Sequence, residues 1–297
     1  MLIILPSIAY AIILVSILLR SQQKKDNSLE ITGTQDLQKP HLSQYFALRL
    51  ILFILLVLHG YASYVDIFTE QGLVFGFAQA LSLMAWVGVA LYWIEAWFFP
   101  LGGMMGLVIF LAMVLSFLPA VFGGSIISTN TTHSPGFKLH FLTANIAYGV
   151  MFLAALHAIL MSWQNRALKQ HSLQEKPSLI QKIFLGVGSV WLDKLPSLLT
   201  MERVLFNTTS IGFILLTITV FSGIFFSQML FGKPLIFDHK TFFALISWVM
   251  FGGLLFSRWK SGLRGIKAIR WVFGSFIVLL LAYIGSRFVL EVLLHRV

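Results

Sequence analysis

The chain contains no cysteine, which excludes a disulfide framework, a thiolate metal site and a thiol nucleophile. Charge is almost as scarce. Only 11% of the 297 residues are Asp, Glu, Lys or Arg, against about 25% in ordinary soluble domains, so water is not the main solvent of this protein. Acidic side chains are the rarer sign, 11 against 21 basic, for a net charge of +10. A basic excess suits either nucleic acid or a membrane protein with basic cytoplasmic loops, and its distribution decides between them. No internal repeat or low-complexity tract is present, and no spacing of Ser, His and Asp singles out a hydrolytic triad.

What the chain has is apolar surface: 58% of its residues are hydrophobic, with 28 Phe and 8 Trp. A bilayer core about 30 Å thick needs about 20 predominantly apolar residues per helix. Eight stretches qualify, roughly 2–19, 46–62, 76–94, 102–122, 140–163, 207–230, 241–257 and 272–290. The expected fold class is all-α: a polytopic membrane helix bundle of about eight transmembrane helices, one domain over residues 1–297. The first stretch lacks a basic start and a small-residue cleavage site and runs into "RSQQKKD", so it reads as a retained anchor. In the longest connection, 164–206, "LIQKIFLGVGSVWL" is too short and too Gly-interrupted to span and reads as an interfacial segment.

Lys and Arg set the sidedness. Arg20, Lys24, Lys25, Lys39 and Arg49 lie between the first two spans, six more basic residues follow the fifth span, and Arg258, Lys260, Arg264, Lys267 and Arg270 follow the seventh. All of these fall on one side of an eight-span chain. Lys138, Lys233, Lys240, Arg287 and Arg296 fall on the other, with Asp66, Glu70, Asp238 and Glu291 among them. The positive-inside rule then places both termini outside. Topology accounts for the basic charge; the lipid bilayer is a partner and nucleic acid is not.

With no thiolate available, the eight histidines are the strongest metal ligands. His41, His133 and His171 lie in polar loops and read as solvated. His140 opens the fifth span, His59 lies near the outer end of the second, His239 sits in the loop before the seventh, and His295 follows the eighth. Four imidazoles from four helices thus converge on one membrane face, where ionisable groups are functional candidates by default. His157 is 17 residues beyond His140, about 25 Å deeper on the same helix; it is either a satisfied interior histidine or part of a second, inner site. Zinc usually takes four ligands. Haem needs one or two axial ligands and a large apolar surface, and its propionates would meet cations such as Lys138, Lys233, Lys240 and Arg296. Haem fits better than a bare metal ion.

The stretch "PLIFDHKTFFALISW", together with "KLHFLTANIAYG" and "EVLLHRV", carries a family resemblance. From about residue 138 to the C-terminus the chain resembles the cytochrome c assembly family of haem-handling membrane proteins, in its CcsA-like inner-membrane branch of YpjD and HemX type. Synthase members carry a tryptophan-rich external motif ending in Trp-Asp-Pro-Lys-Glu-Thr. Here "FDHKTF" keeps Asp238, Lys240 and Thr241, with His239 where Pro would be and "LFGKPLIF" in place of the tryptophans. The family's external His opens a helix with an Ala-Tyr pair about seven residues on, as His140 does with Ala147 and Tyr148. A second external His follows the last helix, the place of His295. Synthases also carry a His at the inner end of the helix after the motif, where this chain has Ser257.

The resemblance implies a bacterial inner-membrane protein that presents or senses haem, b-type and either retained or passed on, at the periplasmic face during cytochrome c biogenesis. His140 and His295 would ligate the haem iron, with His239 and His59 as reserve ligands. Lys138 and Lys240 would lie near the propionates, and Asp238 would cap the seventh span. Without the tryptophan motif no enzyme activity is expected. Partners would be haem and other cytochrome c maturation or tetrapyrrole-synthesis proteins. Two alternatives remain at this point: a regulator or scaffold of tetrapyrrole synthesis docking through the basic loops, and a proton-coupled transporter using His157 and Glu95.

Overall fold

The computed structural model describes residues 2–30, 42–70, 72–99, 102–127, 135–173, 195–231 and 239–294. The expectations placed on His41, His133, His295, Asp238, Lys233, Arg296 and the interfacial segment 179–192 lie outside the described residues, as do those on the side chains of Lys24, Lys25 and His171.

The helices are α1 (Leu5–Glu30, entered through a 3₁₀ turn, Leu2–Ile4), α2 (Leu42–Ile67), α3 (Phe77–Phe98), α4 (Met105–Val121), α5 (Pro135–Leu173), α6 (Leu198–Phe231), α7 (His239–Ser261) and α8 (Gly265–Leu280). The last continues through a π-helical turn (Leu281–Gly285), a short α-helical turn (Ser286–Phe288) and a second π-helical segment (Val289–Leu293). Seven of these stretches are long and apolar enough to cross a bilayer; α4, at 17 residues, is the short one. The chain is a multi-pass membrane helix bundle, as its hydropathy indicates. Most helices run past the expected spans; α5 continues to Leu173 and α6 starts at Leu198, so the long connection is helical at both ends.

One element departs from the all-α expectation. Strands β1 (Phe68–Thr69), β2 (Gly72–Phe75) and β3 (Ser125–Ile127) form a small antiparallel sheet in the order β1-β2-β3, pairing Phe68 with Leu73 and Val74 with Ile126. Gly72, with φ 134, takes the hairpin through a backbone region that side chains with a Cβ avoid. The sheet caps the bundle end at which α2 and α4 finish and α3 and α5 begin. We call this the sheet end; the opposite end carries Arg258, Lys260 and Arg264.

Helix α5 runs through the centre, and its residues Val150–Ala158 are buried. In lipid, helices associate where small residues let backbones approach, and α3 meets α5 in this way twice. A Cβ on Gly149 would overlap Val87, and one on Gly88 would lie 2.8 Å from Phe152 Cδ1. These reciprocal contacts fix the two helices in depth and rotation. Hydroxyls on α6 fold back onto their own helix, Thr209 to Leu205 O at 2.7 Å and Thr217 to Phe213 O at 2.7 Å, which satisfies them without water. Thr208 instead reaches across to α3.

Candidate functional site

At the sheet end a cavity of about 570 Å³ opens between β2 and helices α3, α5, α6, α7 and α8, within the roughly 300–1,000 Å³ span of small-molecule sites. Its walls follow helical spacing. Phe137, His140, Phe141, Ala144 and Tyr148 line it from α5; Leu216, Val220, Gly223 and Ile224 from α6; Lys240, Thr241, Ala244 and Leu245 from α7. Residues three and four apart share one helix face, so each helix turns a single stripe toward the space. On α8 the stripe is broader. Ala282, Tyr283, Ile284 and Arg287 all line it, and they lie in and just beyond the first π-helical turn, a feature frequent at functional sites.

His140 is held from behind. Its Nδ1 lies 2.9 Å from Ser222 Oγ, while the Ser222 hydroxyl donates to Thr219 O at 3.1 Å. With its one hydrogen committed, Ser222 Oγ accepts from Nδ1–H, and this assigns the neutral ring's lone pair to Nε2. A hydrogen bond to one imidazole nitrogen is what orients the other toward a metal. Gly223 makes the room: a Cβ there would lie 3.3 Å from His140 Cε1.

Two cations meet at one ring. Lys240 Nζ lies 5.9 Å and Arg287 Cζ 5.8 Å from the Tyr283 ring centroid, near enough for attraction by its π face. Arg287 also donates to Ser125 Oγ at 2.8 Å and approaches Glu291 Oε1 at 3.5 Å. Glu291 Oε2 accepts from the Phe77 backbone N–H at 3.2 Å. The end of α8 thereby ties β3 and the start of α3 to the cavity rim. Between cations and imidazole the walls are aromatic, with Phe75 and Phe141 edge to face at 4.8 Å.

The sequence-based candidates separate on this geometry. His140 and Lys240 line the cavity; Lys138 is exposed and does not. Position 138 is about 200° around the helix from position 140, so the two point apart. Arg287 is the second cation at the cavity. His239 is exposed at the first turn of α7. His59 is buried elsewhere, among α1, α2 and α3, with Nδ1 3.2 Å from Tyr10 Oη and Nε2 3.0 Å from Ser82 Oγ; both its nitrogens are engaged in structural hydrogen bonds. Arg287, Tyr283 and Ser222 were not among the candidates. For Arg287 a signal existed, an ionisable residue inside an apolar helix with Glu291 four residues on. Ser222 carried none, because its role depends on which helix packs behind His140.

His157 lies away from the cavity, fully buried, with Nδ1 2.9 Å from Leu153 O and Nε2 3.4 Å from Glu95 Oε2. Among the described residues no group of three or more His, Cys, Asp or Glu is placed to hold a metal ion.

The family model described as "Cytochrome C assembly protein" matches residues 42–294, taking in α2 to α4 as well as the stretch from 138 onward. The chain is similar to the "Inner membrane protein YpjD" of Escherichia coli (strain K12), 27% identical over 165 residues covering 56% of each chain. It is also similar to the "Cytochrome c biogenesis protein CcsA" of Synechococcus sp. (strain RCC307), 25% identical over 153 residues, 50% of this chain and 49% of that protein. The protein of that name from Chlorella vulgaris is 28% identical over 125 residues, 42% of this chain and 38% of that one. The chain spans about half the length of the curated relatives it matches. With most of its length covered by the family match, the chain belongs to the cytochrome C assembly protein family.

Proposed function

We propose that the protein is a haem-handling component of cytochrome c biogenesis in a bacterial inner membrane, with both termini periplasmic, and that it binds haem in the cavity at the sheet end. One observation carries this reading: an imidazole with Nδ1 bonded to Ser222 stands in an aromatic-walled cavity that two cations also reach. The residues fit the group. The apolar walls would suit a macrocycle, the Nε2 lone pair of His140 would hold its iron, and Lys240 and Arg287 would meet its two propionates. By the resemblance His295, which follows Leu294 in the chain, would be the second residue to hold the iron, with His239 in reserve. Asp238 directly precedes α7 in the chain, where the resemblance would have its carboxylate meet the positive end of the helix dipole.

When bound, haem supplies any redox chemistry. The protein's part is to ligate, orient and shield it: Ser222 holds the His140 ring, the aromatic walls keep water away, and the cations fix the polar edge. The chain has no catalytic group of its own in this account. Its further partners are other cytochrome c maturation proteins, which take up or deliver the same haem.

The test is a haemin titration of the purified protein in detergent, followed in the Soret region. The expected result is saturation at one haem per chain, with affinity about 10-fold or more lower in Ser222→Ala, as losses of an outer-shell partner are commonly about 10–100-fold. No saturable Soret change in the wild-type protein would sink the reading. An unchanged affinity in Ser222→Ala would remove Ser222 from it.

A further inference from the structure

About two turns past the Gly88 and Gly149 contacts, toward the basic end, Glu95 of α3 and His157 of α5 face each other. Glu95 Oε2 and His157 Nε2 are 3.4 Å apart. Each residue is anchored through its other polar atom. His157 Nδ1 lies 2.9 Å from Leu153 O, and a carbonyl oxygen only accepts, so Nδ1 carries a hydrogen. The Thr208 hydroxyl of α6 donates to Glu95 Oε1 at 2.8 Å. Three helices therefore aim one carboxyl oxygen and one imidazole nitrogen at each other, and neither atom has another hydrogen-bond partner among the described residues.

With no hydrogen between them, two lone pairs would face each other out of reach of water, at a penalty of about 1–3 kcal/mol for each unsatisfied group. A single hydrogen satisfies both. It can reside as a carboxylic acid beside neutral imidazole or as a carboxylate beside imidazolium. Separated charges in an apolar interior are the more expensive form, and nothing on neighbouring elements offsets them. No Lys or Arg among the described residues is within ion-pair distance of Glu95. Tyr92 is one turn back on α3, and α4 brings no titratable side chain. Arg49 of α2 is bonded to Ala96 O at 3.0 Å and lies over Trp97. Glu202 of α6 is paired with Arg258 of α7 at 2.8 Å. Lys267 and Arg270 of α8 are exposed.

We propose that Glu95 and His157 form a binding site for one proton, held as a Glu95 carboxylic acid that donates to His157 Nε2 at the junction of α3, α5 and α6. The site is about 25 Å along α5 from His140 and does not depend on what the cavity binds. Loaded, it is neutral and fully bonded. Emptied, it places a buried carboxylate against an imidazole lone pair, so the junction of three helices is tight only while the proton is in place. The chemistry requires nothing beyond water as proton donor and acceptor.

Infrared spectroscopy of the full chain in detergent at neutral pH tests this. The expected result is the carbonyl stretch of a protonated carboxylic acid that shifts in D₂O and again when glutamate is labelled with ¹³C. It is absent from Glu95→Gln, whose amide can donate to His157 Nε2 in the same place and which stays monodisperse. Glutamate labelling restricts the band to one of the six glutamates of the wild-type sequence, and its loss in Glu95→Gln identifies which. A wild-type spectrum without a glutamic-acid band overturns the proposal. So does a band that survives in Glu95→Gln, or one that disappears on adding sodium chloride at fixed pH, the mark of a metal-cation site.

Discussion

Replacing Gly149 by alanine is expected to lower the thermal stability of the protein by at least several degrees and to reduce the yield of monodisperse material. The added Cβ would overlap Val87 on α3, with the backbone carbonyl of Met84 3.4 Å away, so neither neighbour is a flexible side-chain end that can swing aside. Overpacking a tight core costs about 1–3 kcal/mol, occasionally more. Because helix association in lipid relies on packing rather than on hydrophobic exclusion, loss of such a contact has no ready compensation. Val87→Gly in the same chain should restore part of the loss despite the roughly 1 kcal/mol that a helical glycine costs. Fluorescence-detected size exclusion after graded heating reads both variants. A Gly149→Ala protein as stable as wild type would mean that α3 and α5 do not meet as described, and the placement of Glu95 opposite His157 would fall with it.

The second large effect concerns the cations. Lys240→Gln together with Arg287→Gln is expected to weaken haem binding by roughly 100-fold or more, since a hydrogen bond to a charged group contributes about 1.5–3 kcal/mol. Haem dimethyl ester separates carboxylate recognition from a structural effect. Its affinity should be low for the wild-type protein and nearly unchanged in the double variant, because it has no carboxylates to lose. Arg287 has a further task, holding Ser125 at 2.8 Å and facing Glu291 at 3.5 Å. If haem and its ester lost affinity equally, the damage would lie in the sheet latch and the propionate assignment would be wrong. Lys240→Gln alone, which leaves the latch intact, should show about half of the double variant's loss in free energy.

The sequence made the spans readable because in a bilayer hydropathy and length leave few other structures open. His140, which lines the cavity, was legible as a candidate from its place at the opening of a helix and, through the family resemblance, from Ala147 and Tyr148 beyond it. Other features depend on packing. Lys138 was attractive as a cation near His140 in sequence, yet helical phase turns it outward and leaves Phe137 and Phe141 to line the cavity. His59 lay at a plausible depth, but its partners Tyr10 and Ser82 come from α1 and α3, and no local pattern announces them. Glu95 and His157 are 62 positions apart and meet because Gly88 and Gly149 bring their helices together. The π-helical turn that broadens the α8 stripe is equally hidden, since Leu281–Gly285 reads as ordinary apolar helix. The strands beside the cavity fall in stretches that hydropathy reads as connections, their alternation too short to stand out.

Whether His140 Nε2 ligates haem iron is read from the Soret spectrum of a His140→Gly variant loaded with haemin, before and after addition of free imidazole. Removing the ring leaves a space beside Gly223 and Ser222 that imidazole can fill. The expected result is a lost or strongly shifted band in the variant and its return toward the wild-type position as imidazole is added, with no such response in the wild-type protein. A variant whose haem content and spectrum match the wild type without imidazole would remove His140 from the iron.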